Sequence, residues 1–218
     1  MKLFRNIAAA LSLMMFIIAA SVTITLNFRS LYYFDINHLN IAETSGIDAE
    51  TIKKNYDILI DYNSMFNHDT LYFPDFAMSE HGRIHFEEVK VIFVALQYIF
   101  IATLILSIIF IVINTKKRDS LYLKLASVFT VVIPAALGIF IAANWEQAFV
   151  TFHHIFFSND YWIFDPAKDA IITVLPDTFF MHCAIMILAL VILGSIICAV
   201  CYVMAGRRQK THSGLYSD

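Results

Sequence analysis

The sequence predicts an all-α integral membrane protein with four transmembrane helices, and three observations carry this prediction. Hydrophobic residues make up 59% of the 218 residues and charged residues only 15%, with a mean hydropathy of +0.69. A soluble domain carries about 25% charged residues. The charged residues also leave four long apolar runs between them, and Lys and Arg collect at one end of each run.

Each apolar run is long enough to cross the hydrocarbon core of a bilayer, which takes about 20 helical residues. The predicted transmembrane helices span about residues 7–26, 91–114, 125–143 and 179–205. The first run follows Lys2 and Arg5 as a signal peptide would, but it exceeds the roughly 7–15 apolar residues of a signal sequence. We therefore predict a retained helix, with cleavage near Ala20 as the alternative. The chain is then a single membrane domain over residues 1–218.

The distribution of basic residues predicts the orientation of these helices. Nine of the fifteen Lys and Arg residues lie at one side of the four runs: Lys2, Arg5, Lys116, Lys117, Arg118, Lys124, Arg207, Arg208 and Lys210. The two long connecting segments, 28–88 and 146–178, hold sixteen of the eighteen acids. Because cytoplasmic loops are enriched in Lys and Arg, both termini are predicted inside (N-in/C-in). Both long segments are then outside, where they form an extracellular cap.

Capping residues predict two helices within the cap segments. Asp48 precedes an amphipathic pattern that indicates a helix to about Tyr62. Asp165, which a proline follows, predicts a short helix to about Leu175, because proline is favoured at the first helical position. Pro176 opens the fourth transmembrane helix in the same way.

A further helix is predicted where the first cap segment enters the membrane. Ser79 is placed to cap it. Arg83 and Glu87 are then spaced for an ion pair, while His85 and Glu88 share a helix face three positions apart. Glu88 is therefore a candidate to orient His85, and a solvated acid on the helix surface is the alternative.

Histidines are the natural candidates for acid–base chemistry, because imidazole exchanges a proton near neutral pH. Four of the eight lie in the stretches that enter or leave the membrane on the predicted outer side: His81, His85, His153 and His154. The other four are predicted to be surface or interfacial residues: His38, His68, His182 and His212. Residues 148–157 are densely aromatic. A water-poor pocket favours histidine as an acid or base, although an ordinary interfacial role is the alternative.

Several other chemistries lack the residues they need. Axial haem ligands well inside the predicted helices are missing, as are a nucleophile elbow and a glycine-rich phosphate loop. Cys198 and Cys201 have CxxC spacing within a membrane helix, without a second pair of ligands, which indicates packing. The acidic outer segments exclude nucleic acid as a partner. We expect no cofactor and no metal. A metal-dependent membrane hydrolase, with zinc on His81, His85, His153 and an acid, is an alternative that lacks an HExxH motif or a cysteine cluster.

An ordered set of short motifs supplies the remaining evidence. The set comprises FAMS at 76–79, IHFEEVK at 84–90, FHHIFF at 152–157, NDYW at 159–162, DP at 165–166 and LPDTFF at 175–180. In this order the motifs resemble the lipoprotein intramolecular transacylase (Lit) family of Gram-positive bacteria. The likeness extends from about Phe28 to Phe180.

The resemblance implies an acyl shift within one substrate. The sn-2 acyl chain of a diacylglyceryl lipoprotein moves to the α-amine of its N-terminal cysteine, which yields a lyso-form lipoprotein. Diacylglyceryl lipoproteins and membrane lipid are the implied partners; the sequence carries no signal for an oligomeric state. The implied location is the bacterial plasma membrane, as a multi-pass protein with its active site on the extracellular face.

The resemblance also implies the catalytic residues. The family's pair of histidines corresponds to His85 and His153, with His154 as the alternative for the second. Supporting roles fall to Glu88, Asn159, Asp160 and Trp162. A non-enzymatic membrane sensor or assembly factor with a lipid-binding aromatic cap is the rival hypothesis.

Overall fold

The structure, a computed structural model, describes residues 1–214, with residues 133, 137 and 208–214 described by their backbone alone. Within this range the chain is helical and contains no strand. Its α-helices are α1 (Lys2–Asn27), α2 (Arg29–His38), α3 (Ile41–Ser45), α4 (Ala49–Tyr62), α5 (Glu80–Lys116), α6 (Leu121–Ala143), α7 (Trp145–Phe156) and α8 (Asp177–Gly214). A short 3₁₀ helix, Ala170–Thr173, lies between α7 and α8.

Four of these helices are long and apolar enough to cross a membrane: α1, α5, α6 and α8 as far as Arg207. The prediction of an all-helical protein with four such helices is confirmed. At a rise of about 1.5 Å per residue, the 37 residues of α5 extend for about 55 Å, well beyond a hydrocarbon core of about 30 Å. The charged first turns of α5, which carry His85, therefore extend the helix beyond its apolar part.

Packing divides the chain into two compact units. Within the described residues, the first unit comprises residues 1–22, 98–139 and 186–214. The second unit comprises residues 23–97 and 140–185. Each unit has a buried cluster of its own.

Small side chains allow close helix packing in the first unit. Ala9, Ala10 and Ala126 are almost fully buried, in a cluster with Ile17 and Cys198. In the apolar interior of a membrane protein, small residues allow neighbouring backbones to approach closely. Buried polar side chains then need partners within the protein.

Asp119 gathers such partners in the first unit. Arg5 Nη2 donates a hydrogen bond to Asp119 Oδ2 at 2.7 Å, and Asn6 Nδ2 donates to the same oxygen at 2.8 Å. The backbone N–H of Tyr122 donates to Asn6 Oδ1 at 3.1 Å. These contacts tie the start of α1 to the turn before α6.

Aromatic contacts form the centre of the second unit. Tyr32 of α2 stacks on Tyr56 of α4 with ring centroids 3.9 Å apart and meets Phe179 of α8 edge-on at 4.9 Å. The Tyr32 hydroxyl donates to the carbonyl oxygen of Val174 at 2.5 Å. Helices α2 and α3 were not predicted from the sequence, where this stretch belongs to a cap segment without assigned structure.

Two of the capping predictions within the second unit are confirmed. Helix α4 begins after Asp48, whose Oδ1 accepts a hydrogen bond from the N–H of Thr51 at 2.9 Å, and it ends at Tyr62. Helix α8 begins directly after Pro176, as predicted.

The predicted helix from Asp165 to Leu175 is wrong. Asp165 Oδ1 accepts from the N–H of Ala167 at 3.0 Å, and its carbonyl oxygen accepts from the N–H groups of Lys168 and Asp169. These bonds close a tight turn, which only the short 3₁₀ helix follows. An aspartate that bonds the backbone two residues on favours a turn as readily as a helix start, so the capping pattern did not distinguish them.

Gly194 tests the close packing of the first unit. A methyl group at this position meets Ile17 Cγ2 at 2.6 Å, whereas one at Gly206 of the same helix has no atom within 4 Å. We expect Gly194→Ala to destabilise the protein by about 1–3 kcal/mol through overpacking, and Gly206→Ala to be neutral or stabilising by up to about 1 kcal/mol through helix propensity. Reversible unfolding in mixed micelles measures both.

The double variant Ile17→Ala/Gly194→Ala separates overpacking from other effects of alanine. Since Ile17→Ala removes the clashing methyl, the double variant should cost less than the sum of the single changes. Additive costs would contradict the packing argument.

Candidate active site

A buried carboxylate fixes the start of α5, the helix that carries His85. Ser79 Oγ accepts a hydrogen bond from the N–H of Gly82 at 3.0 Å, which confirms the predicted cap. Asp169 in turn accepts from the N–H of Ser79 at 2.7 Å and from its hydroxyl at 2.8 Å. A side chain at Gly82 would collide with the Asp169 carboxylate and contact the Phe164 ring. The absence of a side chain at Gly82 therefore allows the segment around Asp169 to reach α5.

The aromatic stretch around His153 forms helix α7 rather than a loop. Asn144 caps it by accepting a hydrogen bond from the N–H of Gln147 at 3.0 Å. Phe149, His153 and Phe157 recur every four residues and therefore share one face. His153 and Phe157 are buried on this face.

The structure brings His85 and His153 together, with ring centroids 6.0 Å apart. Only 5% of His85 and 9% of His153 is exposed to solvent. The ring centroid of Phe157 lies 4.7 Å from that of His85 and 5.7 Å from that of His153. Phe164 packs edge-on against His85, with centroids 5.4 Å apart. Trp162 stacks on His153 at 4.4 Å. Two histidines from different helices thus lie side by side in an aromatic enclosure.

The surroundings of His153 determine its protonation. Its Nδ1 lies 2.8 Å from the carbonyl oxygen of Phe149. Because a carbonyl only accepts, Nδ1 carries the hydrogen, and the neutral ring keeps a lone pair on Nε2. Burial lowers the pKa of His153 below its ordinary value, and this effect exceeds the opposing effect of the hydrogen bond to Phe149. The neutral imidazole is therefore the stable form near neutral pH.

Glu88 does not orient His85 in the way the sequence suggested. Asn159 Nδ2 donates to Glu88 Oε1 at 2.8 Å, and among the described residues no hydrogen bond joins Glu88 to His85. His85 Nδ1 and Glu88 Oε2 are both buried without a partner in the described part of the chain. The His85 ring is instead held by the aromatic rings around it. Glu88 and Asn159 link α5 to the segment that follows α7.

The remaining candidates lie at the margin of this enclosure. His154, next to His153, is exposed and touches Trp162 only edge-on at 5.7 Å. Asp160 is also exposed. His81 stacks on Tyr161 with centroids 4.1 Å apart. Burial therefore favours His153 over His154 as the partner of His85.

Besides Glu88–Asn159, two polar pairs were missed because their members are far apart in the sequence. His182 Nδ1 lies 2.8 Å from Asp35 Oδ2, and Asp35 is fully buried. The pair of Ser79 and Asp169 is separated by 90 positions. Neither pair has a local spacing that a helix or turn pattern reveals. Within the described residues, no group of three or more His, Cys, Asp or Glu side chains is arranged to hold a metal ion.

Comparison with known proteins identifies the relatives of this chain. The family model of the lipoprotein intramolecular transacylase Lit matches residues 7–180. The solved structure of the membrane-integral lipoprotein intramolecular transacylase Lit from Bacillus cereus is 39% identical, with a TM-score of 0.93, covering 95% of this chain and 97% of that chain. No curated protein matches.

Two variants of the Bacillus cereus protein have also been solved, with H85R and H85A mutations in its own numbering. Both are 39% identical to this chain with TM-scores of 0.87. The match to the H85R structure covers 96% of this chain and 93% of that chain. The match to the H85A structure covers 95% of this chain and 94% of that chain. The family model spans most of the residues, and the structural match spans nearly all of both chains. The chain therefore belongs to the lipoprotein intramolecular transacylase (Lit) family.

Proposed function

We propose that this acyltransferase moves the sn-2 acyl chain of a diacylglyceryl lipoprotein to the α-amine of its N-terminal cysteine. The product is a lyso-form lipoprotein, and His85 and His153 supply the acid–base catalysis. The observation that carries the proposal is the pair of buried imidazoles, 6.0 Å apart in an aromatic enclosure. Membership of the Lit family supports the same reaction and disfavours a non-enzymatic sensor.

The reaction balances without a second substrate. The amine nitrogen attacks the ester carbonyl carbon, a C–N bond forms, and the bond from that carbon to the glyceryl oxygen breaks. The α-ammonium loses two protons in total, and the departing glyceryl oxygen gains one. One proton therefore passes to solvent.

Each histidine is assigned one of these proton transfers. His153 is assigned as the base that removes the proton from the attacking nitrogen, because its Nδ1 is engaged by Phe149 and its Nε2 lone pair is available. His85 carries the first proton of the ammonium to the departing oxygen. Both reacting groups belong to one molecule, so holding them in contact replaces a bimolecular encounter.

A variant series tests the assignment of the two histidines. We expect His85→Ala and His153→Ala each to lower the formation of lyso-form lipoprotein by about 100-fold or more. His154→Ala is the matched control for an exposed neighbour and should retain most activity. Mass spectrometry of a diacylglyceryl lipoprotein made in the same cells locates the acyl chain. Loss of transfer with His154→Ala alone would overturn the assignment of His153.

The lowered pKa of His153 predicts where activity is lost on the acid side of the pH profile. The ring is a base only while neutral, so this acid limb should lie below about pH 6.5, the ordinary imidazole pKa. Removing the stacked ring with Trp162→Ala hydrates His153 and should move this limb to higher pH. Rates measured on one substrate from about pH 5 to 8 give the difference between the two proteins.

Tyr161→Ala is the control for losing an aromatic side chain from the same segment, because Tyr161 stacks on His81 rather than on His153. It should leave the acid limb in place. An acid limb that is the same in Trp162→Ala as in the wild type would show that burial of His153 does not set it.

We also infer a multi-pass location in the bacterial cell membrane, with both termini in the cytoplasm and the histidine pair at the extracellular face. The basic residues at one side of the four apolar runs support this orientation. The acids concentrated in residues 28–88 and 146–178 support the opposite side as the outer one.

Cysteine labelling tests the orientation. In a variant with its native cysteines replaced by serine, Glu43→Cys and Lys117→Cys each introduce one exposed thiol. A membrane-impermeant maleimide added to intact protoplasts should label only Glu43→Cys, and permeabilisation should expose Lys117→Cys. The reverse pattern would invert the topology.

A further inference from the structure

Three buried polar atoms without a hydrogen-bond partner belong to residues grouped around the histidine pair. Within the described chain these atoms are His85 Nδ1, Glu88 Oε2 and Trp162 Nε1. Glu88 follows His85 by three positions on α5, and Trp162 stacks on His153. Buried polar atoms are nearly always partnered, because burial without a partner costs free energy. Their grouping at one place therefore indicates that a bound ligand completes the hydrogen bonds.

The carboxylate of Glu88 is fixed in one orientation. Its Oε1 accepts the hydrogen bond from Asn159 at 2.8 Å, which leaves Oε2 as the oxygen that faces no protein donor. A carboxylate oxygen can only accept hydrogen bonds. The group that completes this atom must therefore be a donor.

The charges nearby indicate that this donor is a cation. Arg83 is engaged by Glu80 and Glu87, and Lys90 lies over the ring of Tyr62 at 3.9 Å. No ion pair to Glu88 occurs among the described residues. A partly buried carboxylate without a protein cation is best stabilised by a positively charged ligand, since hydrogen bonds between ionised groups are the strongest kind.

We propose that Glu88, held by Asn159, binds the α-ammonium group of the substrate's N-terminal cysteine. The assignment rests on the proposed function, in which this nitrogen attacks the ester. It makes Glu88 a specificity residue that selects lipoproteins with a free α-amine. A lipoprotein whose amine is already acylated is rejected, because an amide nitrogen carries no charge for the carboxylate to bind.

Binding of an unreactive substrate analogue tests this assignment apart from catalysis. The probe is a short lipopeptide whose N-terminal cysteine carries a dialkylglyceryl group, with ethers in place of both esters. A second probe has hydrogen in place of the α-amine and is otherwise identical. The full-length protein in lipid nanodiscs should bind the first probe at least about tenfold more tightly than the second, as expected for a charge-assisted hydrogen bond.

The variant Glu88→Gln keeps the acceptor for Asn159 and removes the charge. It should bind the two probes with nearly equal affinity, while the matched variant Glu87→Gln keeps the wild-type preference. On the ester substrate, Glu88→Gln should raise KM by about tenfold or more and change kcat less. Glu88→Ala also removes the charge, so it should bind the two probes with nearly equal affinity, as Glu88→Gln does.

The outcomes separate this proposal from the proposed function. Equal binding of both probes by the wild type, or an undiminished preference in Glu88→Gln, would overturn the role of Glu88. His153→Ala should lose acyl transfer and keep the preference for the amine probe. A wild-type protein that prefers the amine probe yet never moves an acyl chain would instead refute the transacylase function and leave the ammonium site intact.

Discussion

The arrangement of the active site depends on one buried carboxylate, that of Asp169, at the N-terminus of α5. The first N–H groups of a helix have no intrahelical acceptor, and the helix dipole favours negative charge there. Asp169 accepts hydrogen bonds from the N–H and the hydroxyl of Ser79. This position of its carboxylate leaves no room for a side chain at Gly82. Phe164, five residues earlier, thereby lies against His85. The contact that caps the helix also closes the enclosure around its histidine.

This enclosure suits the proposed catalysis by two imidazoles so close together. A neutral ring loses less hydration on burial than a charged one, so burial keeps His153 in the form that accepts a proton. Phe157 packs against both histidines and Trp162 against His153, so apolar rings fill space beside the imidazoles that water would otherwise occupy. Water would compete with the amine for the ester and release a free fatty acid. Exclusion of water therefore favours transfer over hydrolysis.

Much of the fold, but only part of the site, could be predicted from the sequence. Apolar run length gives the four long helices, and the local pattern after Asp48 gives α4, because both signals lie within one segment. The pairing of Glu88 with Asn159 joins residues 71 positions apart, so helix spacing instead suggested His85 as its neighbour. The turn at Asp165 has the same local signal as a helix start. A tertiary contact, which a single sequence does not display, decides the first case, and two local structures with one shared signal make the second ambiguous.

The chemistry also explains why the chain needs neither a nucleophilic side chain nor a cofactor for the proposed reaction. The substrate supplies both the attacking amine and the ester, so the protein has to bring them together and move protons. His85 lies on α5, whereas His153 lies on α7, and their ring centroids are 6.0 Å apart. The pairs Ser79–Asp169 and Glu88–Asn159 both connect the start of α5 to the segment that follows α7. Weakening either pair should change the spacing of the proposed base and acid without altering an imidazole, so the proposed chemistry also depends on residues that take no proton themselves.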